Sequence, residues 1–193
     1  MINLISNIII GFCLFALFTS ILINFVEGAD KKATKEKRSI VETGTMTLFF
    51  VGFYLLIRFQ IGTIQIPHNL QYILILSGLT MVVAGCTINI VGRLNLGKNW
   101  ANQIRIYQNH TLTKTGMYKL VRHPLYASLM MMFIGSCLVY SNYLAFLAHA
   151  FIFIPFMYYR AKQEEKLLTQ TFVDYKQYQK EVGMFFPKFK INK

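Results

Sequence analysis

The chain has 193 residues, of which 54% are apolar, 15% aromatic and only 15% charged, with a formal net charge of +12. A soluble domain carries about a quarter charged residues, so the composition excludes an ordinary soluble globular protein and points to an integral membrane protein. The basicity does not point to nucleic acid. Of the 20 Lys and Arg, all but Arg58 lie in Lys31–Arg38, Arg93–Arg122 and Arg160–Lys193, between long uncharged runs. Cations gathered on one side of apolar segments follow the positive-inside rule.

In chain order, Met1–Val26 has no charge and predicts a first span over about 2–26. It lacks a basic leader and is followed by Glu27, Asp30 and a basic loop, so it reads as a retained span rather than a signal peptide. Glu27–Glu42 is a charged, cytoplasmic loop. A second span is expected over about 43–59, with Arg58 reaching the far interface. A short outer loop with Pro67 and His68 leads to a third span over about 70–91, where Gly78 and Gly85 allow close helix approach. A polar segment, 93–124, follows on the cytoplasmic side.

Leu125–Tyr159 is uncharged and, at 35 residues, too long for one span of about 20 residues. Ser141-Asn142-Tyr143 at its centre predicts a turn, giving a tight hairpin of two short spans, 125–140 and 144–159, with Pro155 kinking the second arm. The span centres read as bland. A second cytoplasmic segment, 160–193, contains Glu164–Val182, which predicts one amphipathic helix lying at the membrane interface. Its apolar face carries Leu168, Phe172, Tyr175, Gln179 and Val182, and Gly183 and Pro187 end it. The expected fold is therefore an all-α integral membrane protein, a single domain over 1–193 with five transmembrane helices, N-terminus outside and site segments inside. Cys13, Cys86 and Cys137 fall within spans at no metal-ligand spacing, so neither a disulfide nor a metal site is expected.

Chemistry concentrates at the two ends of the hairpin. Gly116–Tyr126 holds Lys119, Arg122, His123, Tyr118 and Tyr126. Pro124 suits the first turn of a helix, whose free N–H groups could hold a carboxylate. At the hairpin's exit, Arg160 and Glu164 stand one helical turn apart, on one face. A hairpin that folds back brings the two clusters to one membrane face, with Glu164 near His123. Gly-x-Gly occurs nowhere, so neither a dinucleotide fingerprint nor a P-loop is present. The single Trp100 reads as an interfacial anchor.

Arg-His-Pro-x-Tyr before a hairpin, Glu-Glu-x-x-Leu after it, Phe-x-x-Tyr-x-x-Tyr and a terminal Phe-Pro together resemble the isoprenylcysteine carboxyl methyltransferases, within a wider group of small membrane methyltransferases that includes phospholipid methyltransferases. The resemblance covers about Gly97–Pro187. It implies S-adenosylmethionine as cofactor, with contacts at Gln103, His110, Thr111, Leu112, Thr113, Tyr118, His123, Pro124, Leu125, Tyr126 and Glu164, and with Arg160 on the substrate carboxylate. Arg160 and Glu164 are the implied catalytic pair. Val173 and Met184 depart from the family's pattern. The implied acceptor is a membrane-embedded lipophilic molecule, a prenylated cysteine or peptide. The implied location is the plasma membrane in a prokaryotic cell or the endoplasmic reticulum in a eukaryotic one.

Two other readings remain open at this level. The acceptor could be a lipid amine or a lipophilic hydroxyl, which would need a base such as His123 or Tyr126. A non-enzymatic scaffold or transporter is the third reading, though transporters place polar residues mid-span. Oligomeric state is open.

Overall fold

The structure is a computed structural model that describes residues 2–28, 33–37, 40–97, 104–107 and 111–188. Its helices are α1 (Ile2–Gly28), α2 (Ile40–Arg58), α3 (His68–Leu96), α4 (Pro124–Val139), α5 (Tyr143–Ala148), α6 (Ile154–Thr171) and α7 (Tyr175–Glu181). A π-turn, His149–Phe153, joins α5 to α6 without a break, and a 3₁₀ turn, Gly116–Lys119, precedes α4. By length and composition, helical stretches Leu4–Asn24, His68–Leu96 and Tyr143–Thr171 can each cross a membrane, and Gly44–Arg58 and Pro124–Val139 are shorter apolar helices. Large apolar side chains such as Phe12, Phe15, Phe18, Leu48 and Leu76 face outward, as they must where the solvent is lipid. This is a multi-pass membrane protein.

The tightest packing is between α3 and α4, and glycine produces it. Gly78, Gly85 and Gly92 recur at heptad spacing along one stripe of α3. A Cβ on Gly78 would lie 2.5 Å from the Gly135 carbonyl oxygen, one on Gly85 2.5 Å from Met132 Cγ, and one on Gly92 3.0 Å from Leu125 Cδ2. The partners run backwards as the glycines run forwards, so the helices are antiparallel with their backbones nearly in contact. Small residues replace the hydrophobic effect as the glue between helices in lipid. The close approach expected at Gly78 and Gly85 is present, and Gly92 extends it to the start of α4. Beside this seam, Cys13 and Leu17 of α1 pack with Val82 and Cys86 of α3 and Met132 of α4, and the cysteines are free thiols.

The hairpin turn forms where expected. Tyr140-Ser141 turns the chain, with Ser141 in the left-handed region at φ 48°. Asn142 then caps α5, its side-chain oxygen accepting from the Ala145 N–H at 2.8 Å. The same side chain donates to the carbonyls of Ile61, at 3.0 Å, and Leu56, at 3.2 Å, binding the hairpin to the α2–α3 connection. Asn142→Ala removes the cap and strands the Ile61 carbonyl. It is expected to lower stability by about 2–3 kcal/mol, read as a fall in melting temperature in detergent.

Two expectations need correction, and the helical fold carries one small addition: Ala33–Lys37 (β1) pairs antiparallel with Ile104–Tyr107 (β2), with Lys37 opposite Ile104. This ribbon draws the charged loop after α1 against the segment before the site, so two basic segments share one end of the bundle. The kink near Pro155 is a π-turn; the proline ring crowds the carbonyl of Phe151 four residues back, and the helix widens ahead of it. The tail is not one interfacial helix. α6 ends at Thr171, Phe172 is extended, and α7 turns inward, burying Tyr175 and Tyr178.

Candidate active site

The site is assembled on the end of α3. Buried Asn89 donates to the Leu125 carbonyl at 3.2 Å and to Ser128 Oγ at 2.8 Å, and accepts from Arg93 Nε at 2.9 Å. These bonds fix where α4 starts. Two turns on, Asn95 Oδ1 accepts from the Met117 N–H at 2.9 Å. Gly116 must be glycine here: its φ is +58°, and a Cβ would strike the Asn95 side chain.

From below, the tail straps the Arg122-His123-Pro124 segment. The Arg122 N–H donates to the Gly183 carbonyl at 2.8 Å and the His123 N–H to the Met184 carbonyl at 3.0 Å. Tyr178 donates its hydroxyl proton to the Tyr118 carbonyl. The Arg122 guanidinium donates to Glu165 Oε1 at 2.7 Å, to the Gln179 carbonyl at 3.2 Å and to the Val182 carbonyl. Gln179 Nε2 donates to the other oxygen of Glu165 at 3.0 Å. Arg122 is thus half of a buried ion pair.

His123 is the hinge of the cluster. Its ring is buried between two carboxylates, with Nε2 3.2 Å from Glu165 Oε1 and Nδ1 3.6 Å from Glu164 Oε2. It lies parallel to the Tyr126 ring, centroids 5.5 Å apart, with Phe185 at 6.0 Å. Tyr126 donates its hydroxyl to Glu164 Oε2 at 3.1 Å, and Arg160 bonds to the same hydroxyl. The adjacent glutamates therefore differ in kind. Glu165 has a side chain 5% exposed and fully engaged, whereas Glu164 is 36% exposed and open on one side.

Electrostatics agree with this division. Burial works to raise the Glu165 carboxyl, but hydrogen bonds and charge from His123 and Arg122 outweigh it and hold the group down at about 2. Burial, reinforced by neighbouring carboxylates, pushes the phenols of Tyr118 and Tyr175 up. Burial likewise takes Tyr178 up to about 12. These tyrosines are neutral hydrogen-bond donors at physiological pH, not bases. No cluster of metal-ligating side chains occurs among the described residues.

Residues 78–170, running from α3 through the hairpin to the end of α6, match the isoprenylcysteine carboxyl methyltransferase (ICMT) family. Over that segment, just under half of its length, the chain is similar to this family. Over 113 residues it is 30% identical to a probable protein-S-isoprenylcysteine O-methyltransferase of Oryza sativa subsp. indica, covering 57% of the chain and 59% of that protein. It is 29% identical over 113 residues to protein-S-isoprenylcysteine O-methyltransferase A of Arabidopsis thaliana, covering 57% of each. It is 30% identical over 115 residues to protein-S-isoprenylcysteine O-methyltransferase of Saccharomyces cerevisiae, covering 54% of the chain and 48% of that protein. The chain thus spans about half the length of the curated relatives it matches. A solved structure of a eukaryotic intramembrane Ras methyltransferase, ICMT, superposes with a TM-score of 0.63 at 23% identity, covering 94% of the chain and 67% of that structure. At that identity the shared feature is the fold.

Among ICMT-family positions implied by the sequence, Tyr118, His123, Pro124, Leu125, Tyr126, Arg160 and Glu164 gather at one end of the bundle. Thr111, Leu112 and Thr113 run as loop ahead of the 3₁₀ turn, with Thr111 exposed. Their segment is tied to the tail by Lys114 and Asp174, 3.7 Å apart. Gln103, His110 and Trp100 lie outside the described residues. Sequence reasoning missed Glu165, Gln179 and the Asn89–Arg93–Asn95 platform. The Phe172-x-x-Tyr175-x-x-Tyr178 motif was the available signal that the tail returns to the site.

Proposed function

We propose that the chain is an S-adenosylmethionine-dependent methyltransferase that methylates the carboxylate of an isoprenylated cysteine or a closely similar lipophilic acid. The observation that carries this reading is the meeting of His123, Tyr126, Arg160 and Glu164 at the two ends of the hairpin, within the segment that matches the family. The relatives' names supply the reaction: each is called a protein-S-isoprenylcysteine O-methyltransferase.

The residues suit the methyl donor. Its cationic, amino-acid-bearing groups call for a carboxylate accessible from one side, which Glu164 offers, and for aromatic surface, which the parallel His123 and Tyr126 rings offer. Tyr118, Pro124, Leu125 and the loop of Thr111–Thr113, with Gln103 and His110, complete the proposed donor contacts. Bound there, the donor supplies a methyl carbon on a sulfonium; the C–S bond breaks as a C–O bond forms to the acceptor carboxylate. That oxygen is already anionic at neutral pH, so no base is required. The protein's work is to orient, exclude water and hold charge. Arg160 grips the acceptor carboxylate bidentately, and Tyr126 aligns Arg160 with Glu164.

In the membrane we read α1, α2, α3, α4 and the α5–α6 arm as far as about Tyr159 as five spans of a single domain, with the rest of α6 beyond the last span. The N-terminus is outside and the site is on the cytoplasmic face, where a water-soluble donor can meet a lipid-borne acceptor.

The intact protein is expected to bind S-adenosylmethionine by calorimetry, and Glu164→Ala to weaken binding at least about tenfold, the worth of one charge-assisted hydrogen bond. Arg160→Ala should leave that binding in place and abolish methyl transfer to N-acetyl-S-farnesylcysteine. Folded protein that binds no donor would defeat the proposal.

A further inference from the structure

The hairpin's second arm is not bland. His149 opens the π-turn, is 0% exposed, and neither ring nitrogen has a hydrogen-bond partner among the described residues. Its ring stacks against Phe133, centroids 5.9 Å apart, and Phe153, 5.4 Å apart. Phe49 and Phe53 of α2 complete the cluster, 4.8 Å from Phe153 and 4.6 Å from Phe133 respectively. A neutral imidazole brings one N–H donor and one acceptor. Leaving them unmade in apolar surroundings is unfavourable, and packing alone would favour phenylalanine. π-Turns recur at functional sites, and an ionisable residue facing a membrane bundle's interior marks a ligand path.

The surroundings supply such a path. Phe50, stacked on Phe133 at 5.8 Å, is 40% exposed, so the cluster's edge reaches the lipid-facing seam beside α2. Inward, Met130 and Met157 belong to the same core, and Tyr126 and Phe185 pack against it. Those last two flank His123. Contiguous apolar packing thus runs from the lipid-facing seam past His149 to Tyr126 and Phe185 beside His123.

We propose that His149 is the hydrogen-bonding contact for a polar group, a hydroxyl or carbonyl, carried within the unsaturated chain of the acceptor lipid. His149 and Arg160 stand eleven positions apart on a continuous helical arm, about 16 Å along the axis. The polar group therefore lies about that far from the carboxylate that is methylated. The phenylalanine faces receive the chain's double bonds.

The acceptor's identity as a methylation substrate rests on the function proposed above, so binding is read separately from turnover. The probes are N-acetyl-S-farnesylcysteine and its analogue with a hydroxyl at the far end of the farnesyl chain, offered to the full chain in lipid nanodiscs. Wild type is expected to bind the hydroxylated probe about tenfold more tightly, the worth of one recovered hydrogen bond, and to show a shifted His149 ring ¹⁵N resonance. His149→Phe, which fills the cluster with another aromatic ring, should remove the preference with S-adenosylmethionine affinity unchanged. Equal affinity of wild type for both probes, an unmoved ring resonance, or a preference that survives in His149→Phe would overturn the proposal. If the binding preference holds but neither probe is methylated, the methyl-transfer reading fails and the His149 site stands.

Discussion

Glu165→Ala is expected to destabilise the protein by about 3–5 kcal/mol, because it leaves Arg122 as a buried charge with only carbonyl partners and strips His123 and Gln179 of their acceptor. The readouts are a lower melting temperature in detergent and faster proteolysis near Val182. Glu164→Ala, one residue away, should cost less than about 1 kcal/mol, since its half-exposed carboxylate is screened, while removing a donor contact. Neighbouring glutamates should therefore give opposite phenotypes, one structural and one functional. Equal melting temperatures for the two variants would sink the assignment. The pH dependence has a fixed sign. Glu165 is held down from an ordinary value of 4.5 to about 2, so its stabilisation is complete above about 4.5 and disappears as pH falls through about 2. Glu165→Gln should flatten that acid limb.

Gly78→Leu is the second large effect. The new Cβ would sit 2.5 Å from the Gly135 carbonyl oxygen and 2.8 Å from Val139 Cγ2, and backbone cannot rotate away. Forcing α3 from α4 should cost about 3 kcal/mol or more, at the upper end for overpacking. The Asn89 bonds to Leu125 and Ser128 would be disturbed along the same seam, so donor binding should fall with stability. Gly11→Ala and Gly52→Ala are controls, because nothing lies within 4 Å of a Cβ at either position. A Gly78→Leu protein as stable as these controls would contradict the seam.

The hairpin and the convergence of its ends were legible because they depend on features that sequence displays openly: a charge-free run of twice-too-short spans, a polar centre, and rare charged residues at each end. What escaped notice depends on backbone and on angle. Glu164 and Glu165 differ by about 100° around α6, and only the returning tail decides which of them is buried. The strap itself uses carbonyls of Gly183 and Met184, which no side-chain pattern announces. The break after Thr171 involves neither glycine nor proline; Val173, at 95% exposed, marks where the chain leaves the helix. The ribbon at Ala33–Lys37 lacks the alternation that would mark a strand. Gly92 was readable from the heptad of Gly78 and Gly85.

The strap also dictates an order of manufacture. Arg122 and His123 are synthesised some sixty residues before the carbonyls that hold them. Chains emerge and settle from the N-terminal side first, so α1 to α6 can enter the bilayer while the Arg122–His123 segment still lacks its tail contacts. Helix insertion and site closure become separable stages, and a nascent chain halted before Val182 would be membrane-embedded yet unfinished.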